Sequence, residues 1–268
     1  MSVVTEAQKR QFREEGYCVL ERVIPEGHLE LLRTQCQRFI DAMDARMDAA
    51  GTDVFGINHR GRRYFVSNCF REEPRLREFL FSELMADICS QTLGDDAWLF
   101  WEQYVVKGAG GGMKFSWHQD SGYVGYPDHK PYLTCWCALD DMTEDNGTVR
   151  ILPFSRIGVR TWVKHVKEPG TNDEVGYFGT DPGVPVIVPA GSIALFTSVS
   201  FHASSANTTG RMRRAYLAQY SAEPILTADG TKLWGNAEPL LRVGRLAAGE
   251  AAPSLPSWTG HESTGGAR

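Results

Sequence analysis

No stretch of this chain stays apolar for the roughly 20 residues that a bilayer-spanning helix needs; even SIALFTSVSF is short and broken by hydroxyls. The opening MSVVTEAQKRQFREEG lacks the apolar core of a secretory signal. A cytoplasmic protein with no membrane partner is therefore expected. Positive charge is scarce as well: 28 Lys and Arg against 33 Asp and Glu leave a formal net charge of −5. That balance has no general attraction for phosphate backbones, and no basic stripe with stacking aromatics is present, so nucleic acid is not an expected partner. Cysteine is sparse. The six are Cys18, Cys36, Cys69, Cys89, Cys135 and Cys137, and 268 residues bury enough core to fold without disulfides. Cys135 and Cys137 flank Trp136 on one strand face and read as thiols filling a core. Internal repeats are absent, and so is the regular alternation of strands and helices that a doubly wound parallel sheet requires.

What is present divides into two textures. Up to about residue 94 the pattern is helical. Thr5 is placed to cap a short helix that Gly16 stops, and YCVLERVI reads as a brief strand. Pro25 suits the start of a helix in which Leu29, Leu32, Cys36, Phe39, Ile40 and Met43 form one apolar stripe. A third helix is expected from about Pro74 to Thr92, ended by Gly94. Between them, VFGINHRGRRYFVSN reads as a loop or edge hairpin, or else as a basic lip over an anion. From Ala97 short β-like runs take over: AWLFWEQYVV, KPYLTCWCAL, TVRILPF, VPVIVPA, SIALFTSV and MRRAYLAQYS. The segment from Ser155 to Gly183 is too long and polar for a simple turn and is expected to act as a lid or binding wall. After Leu246 the Gly-, Pro- and Ser-rich composition predicts a disordered tail, 247–268.

The sharpest local signal is WHQD, residues 117–120. Side chains alternate along extended backbone, so His118 and Asp120 project to one face and can meet one cation. A third ligand must come from another strand. His202, expected to begin the loop after SIALFTSVSF, is the best placed. Two imidazoles and one carboxylate on one face leave adjacent coordination positions open, the arrangement of non-haem iron(II) oxygenases; catalytic zinc accepts the same residue types.

At this point the chain resembles the phytanoyl-CoA dioxygenase family of iron(II)/2-oxoglutarate-dependent oxygenases. WHQD resembles the first metal segment, LDDMTEDNGTVRILPFSR the acidic Asn-Gly segment, and HASSANTTGRMRRA the distal histidine and cosubstrate segment. The resemblance implies a mainly β fold with helical additions, a distorted double-stranded β-helix (a jelly-roll, cupin-like barrel). It also implies one oxygenase domain over 1–246, with helices to about 94 and the barrel over about 97–225. The cofactors implied are Fe(II), with 2-oxoglutarate and O2 as cosubstrates. Carried over by position, His118, Asp120 and His202 match the metal ligands. Arg213 matches the arginine that holds the distal carboxylate of 2-oxoglutarate, Ser204 a hydroxyl at that end, and Gln103 and Trp136 further cosubstrate contacts. Arg60 falls near a basic contact of the family.

The residues themselves support part of this. An arginine fork engages a carboxylate at two points. Strand alternation groups Arg213, Ala215, Leu217 and Gln219 on one face and sends Arg214 outward to solvent. Lys107, just before a glycine run, reads as solvated. Tyr123, Tyr126, His129 and Tyr132 are candidates to line a pocket for a small-molecule substrate. The expected reaction is hydroxylation of a small or medium-sized metabolite at an unactivated carbon. Desaturation, cyclisation and endoperoxidation are the alternatives within the class, and retention of Asp120 disfavours halogenation. A non-catalytic cupin-like metal binder and a zinc hydrolase are alternatives outside it, and neither needs Arg213.

Overall fold

The computed structural model describes residues 2–169, 173–247 and 249. The proposed tail therefore lies outside the described residues, apart from 247 and 249. Helix α1 (Glu6–Glu15) begins at a capping box: the Thr5 hydroxyl accepts from Gln8 N–H, and the Gln8 side chain accepts from Thr5 N–H. It ends at Gly16, whose φ of 80° only glycine adopts without strain. Strand β1 (Tyr17–Leu20) follows, then α2 (Glu26–Ala50), which buries the whole predicted stripe from Leu29 to Met43. The expected third helix is two, α3 (Leu76–Leu80) and α4 (Glu83–Thr92). The break comes at Ser82, whose side chain caps α4 by accepting from Met85 N–H; this local cap competes with continuation of the helix.

The barrel uses β2 (Arg63–Ser67), β3 (Ala97–Lys107), β4 (Phe115–His118), β5 (Leu133–Ala138), β6 (Val149–Ile151), β7 (Val184–Pro185), β8 (Ile193–Thr197), β9 (His202–Ser204), β10 (Arg213–Ser221) and β11 (Glu238–Arg242). A short helix, α5 (Asp120–Val124), interrupts the order after β4. The larger sheet runs β1-β8-β5-β10-β3-β2 and is extended at the β2 edge by a hairpin of Asn58–His59 and Val54–Phe55, while β11 also pairs with β3. The smaller sheet runs β7-β6-β9-β4. Every pairing is antiparallel. The two sheets and their helical cover form the distorted double-stranded β-helix.

Alternation divides the larger sheet into two faces. Tyr104, Cys135, Cys137, Tyr216 and Ala218 pack toward α2 and its neighbours. Val105, Trp136, Ala138, Ala215 and Leu217 face the barrel interior. All six cysteines are free and buried. VPVIVPA keeps only Val184–Pro185 in a ladder, opposite Ile151 and Arg150, and Pro189 further along has no N–H to donate. Val186 and Val188 nevertheless fill the interior. Among the described residues no helix is long and apolar enough to cross a membrane.

Candidate active site

His118 closes β4 and His202 opens β9, and the two strands pair with these residues opposite each other. The loop expected at His202 is thus a strand start, held between β4 and β6. Pairing brings the two rings to a centroid separation of 4.2 Å. Each Nδ1 faces a carbonyl two residues back, Ser116 O at 2.7 Å and Ser200 O at 3.1 Å. A carbonyl only accepts, so both rings keep their proton on Nδ1 and turn the Nε2 lone pair inward. Burial, and then the neighbouring His202, push the His118 imidazolium down to about 4, against the pull of Asp120, so this ring is a neutral donor.

Asp120 is the first residue of α5, and Gln119 before it is extended at φ −106°, ψ 140°. That preserves the alternation, and Asp120 joins the histidines. Its Oδ1 lies 3.5 Å from His202 Nε2 and 4.0 Å from His118 Nε2. Its Oδ2 accepts from Thr134 Oγ1 at 2.6 Å and Gln219 Nε2 at 2.9 Å. One oxygen is therefore held and the other faces the rings. The three potential ligand atoms lie within 4.8 Å of one another, close enough for one ion, and the donor set is that of a non-haem iron(II) centre.

The triad lines a cavity of about 700 Å³ that Gln103, Trp136, Ser204 and Arg213 also line. Arg213 is 2% exposed. Its Nη2 donates to Gly147 O at 3.2 Å, while Nε and Nη1 have no partner among the described residues. Its guanidinium carbon sits 5.7 Å from the Trp136 ring centroid. Burial pulls the Arg213 pKa down to about 10, opposed by Asp140. Buried donors without acceptors are rare and costly; two on one guanidinium fit a carboxylate. Gln103 Oε1 accepts from Ser67 Oγ at 3.2 Å. Trp136 is buried, and Ser204 closes β9, half-buried.

Several readings of single residues change. Lys107 is not solvated: it is fully buried, and its Nζ donates to Ser205 O. Arg60 stays outside the cavity lining, tied to Asp48 and Asp53 at 2.8 Å each. From that segment it is Arg63 that turns inward, with Nη1 at 3.1 Å from both Asp173 oxygens. Arg214 is half-buried rather than solvated, clamped to Asp140 at two points. Tyr123 and Tyr132 line the cavity, whereas Tyr126 and His129 do not. His129 is turned to Ser121 Oγ and Tyr126 O instead. The long 155–183 segment does form a wall of the cavity, with Trp162, Lys164, His165 and Asp173.

Sequence reasoning assigned no role to Thr134, Gln219 or His165. Gln219 was legible as an inward residue on the Arg213 face; its bond to Asp120 was not. His165 Nε2 accepts from Gln119 N–H, between the two ligands, at 2.9 Å. Two glycines make room for this ring, since a Cβ at Gly122 or Gly176 would lie 2.6 Å from it.

The family described as Phytanoyl-CoA dioxygenase (PhyH) matches residues 12–215. "Phytanoyl-CoA dioxygenase domain-containing protein 1" of Danio rerio is 22% identical over 262 residues, covering 81% of this chain and 89% of its own length. The 2-aminoethylphosphonate dioxygenase of the uncultured bacterium HF130_AEPn_1 is 25% identical over 228 residues, covering 82% and 83%. The solved structure of EvdO2 from Micromonospora carbonacea var. aurantiaca complexed with 2-oxoglutarate has the same fold. Its TM-score is 0.64 at 21% identity, with 85% of this chain and 96% of that one covered.

Proposed function

The chain belongs to the phytanoyl-CoA dioxygenase family of iron(II)/2-oxoglutarate-dependent oxygenases, and from that premise we propose that it hydroxylates a small or medium-sized metabolite at an unactivated carbon. His118 and His202 through Nε2, with Asp120 through Oδ1, would hold the iron. The Ser116 and Ser200 carbonyls, Thr134 and Gln219 orient those three donors. Iron(II) with 2-oxoglutarate, when bound, supplies the activation of O2 for oxidation of a C–H bond.

Arg213 would receive the distal carboxylate of 2-oxoglutarate on Nε and Nη1, with Ser204 at the same end and Gln103 and Trp136 lining its path. The observation that carries the reading is this pair of buried, unpartnered guanidinium donors in the same cavity as the triad. A metal-binding protein without turnover has no use for a second anchor of this kind, and a zinc hydrolase would give no charge-transfer band with 2-oxoglutarate. The cavity falls within the roughly 300–1,000 Å³ typical of sites for drug-sized molecules. Phe100, Trp101, Tyr132 and Trp234 form an aromatic end, which favours an apolar substrate portion.

The test is an anaerobic titration of the iron(II)-loaded protein with 2-oxoglutarate, followed by visible absorption. A saturable metal-to-ligand charge-transfer band is expected, and it licenses a substrate screen read by succinate formation and product mass. A mass gain of one oxygen atom identifies hydroxylation. No band with iron bound would refute the cosubstrate assignment.

A further inference from the structure

Arg63, Lys107 and Arg213 stand in one row. Lys107 on β3 is paired with Arg63 on β2 to one side and with Arg213 on β10 to the other. Side chains at paired positions share a face. That face is the barrel interior, because Phe65, Val105 and Ala215, two residues along each strand, belong to the interior core. The three cations are 2%, 0% and 2% exposed.

Their partners are unequal. Arg63 bonds both oxygens of Asp173. Arg213 has one carbonyl, Gly147 O, and two idle donors. Lys107 Nζ has the Ser205 carbonyl, which is neutral, and the nearby Asn207 amide donates to the Lys107, Gly108 and Arg211 main-chain oxygens rather than pairing with Nζ. Among the described residues, Asp173 is the one carboxylate hydrogen-bonded to the row. Adjacent buried cations are tolerated only if an anion enters or a proton leaves. Arginine keeps its proton, whereas lysine gives its proton up when buried.

We propose that Lys107 is the titrating partner of the cosubstrate site, neutral in the free protein and protonated when a carboxylate of 2-oxoglutarate engages Arg213. Nζ takes the proton from solvent, and no other bond is made or broken. The inference rests on the cosubstrate reading above. The electrostatics agree in direction: burial first, then Arg213 and Arg63, pull the Lys107 amine down to about 6, with Asp173 opposing. An entering carboxylate reverses the balance. Between the free and bound pKa values, binding consumes a proton, so affinity falls as pH rises.

Calorimetry of the iron(II)-loaded protein under nitrogen, titrated with 2-oxoglutarate in buffers of different ionisation enthalpy, reads this directly. At pH 7.5 about one proton should be taken up per 2-oxoglutarate, and affinity should fall about tenfold per pH unit above pH 7. Lys107→Met and Lys107→Arg (one never charged, the other always) should both bind with no uptake and a flat pH profile. Binding by the wild-type protein without proton uptake overturns the proposal even if neither variant folds. Undiminished uptake in a folded variant overturns it as well. No binding at all by the iron-loaded wild type would overturn the cosubstrate reading, and this proposal with it.

Discussion

Replacing Arg213 with Met separates the anchoring role from the metal site. Methionine has similar reach and no charge. In the wild type, Nε and Nη1 are buried and unpartnered, so 2-oxoglutarate would gain two charge-assisted hydrogen bonds there, each contributing about 1.5–3 kcal/mol. Their loss amounts to about 3–6 kcal/mol, or roughly a 10²- to 10⁴-fold rise in the Kd for 2-oxoglutarate. The fold should not suffer. Exchanging a buried, half-satisfied cation for a well-packed apolar side chain is neutral or stabilising by up to about 4 kcal/mol. Iron affinity should also hold, because Arg213 bonds none of the three ligands or the groups that orient them. The assay is the charge-transfer titration, paired with iron binding and urea unfolding of the same variant. A Kd within about threefold of wild type, or a loss of 2-oxoglutarate binding that merely tracks loss of iron, would refute the reasoning.

Gln219→Leu removes one of the two donors holding Asp120 Oδ2, and iron affinity should drop about 10- to 100-fold in a metal titration, with secondary structure intact. Asp173→Asn leaves Arg63 buried with a neutral partner; the chain should lose about 3–5 kcal/mol in urea unfolding, and full stability would mean the pair does not hold the 155–183 wall to β2. Glu102 is fully buried with Oε2 unpartnered, and burial raises its pKa from 4.5 to about 7. The native state therefore holds a proton that the unfolded chain has released between these values. Stability should be complete below about pH 4.5 for this group, fall on the order of 3 kcal/mol as pH rises to 7, and then level off. Glu102→Gln should abolish that slope and be the more stable protein at pH 8; parallel pH profiles for the two would refute it.

Much of the fold was legible because it is written in local periodicity. The stripe from Leu29 to Met43 names the buried face of α2, and strand alternation turns Arg213 and Gln219 to the same side as Ala215 and Leu217. The WHQD pair was legible for the same reason, since one extended residue between two ligands suffices to align them. Where local chemistry competed, pattern alone misled. Ser82 splits an apolar stripe that could have run on as one helix, and the valine-rich run VPVIVPA, with no N–H at Pro189, pairs only through Val184–Pro185.

By itself, the sequence determined the residue types of the metal site, the extended segment that aligns His118 with Asp120, the inward face of the Arg213 strand and the helical cover. Each of these depends on spacings of two to four residues. Only the tertiary structure decided that His202 opens a strand opposite His118, that Arg63 rather than Arg60 enters the barrel, and that Lys107 is buried in a row between two arginines. Those facts depend on strand register between residues far apart in the chain, Arg63 with Lys107, His118 with His202 and Lys107 with Arg213. A one-residue slip in register would exchange the inner and outer faces, and no window along the sequence records which register the packed sheets select.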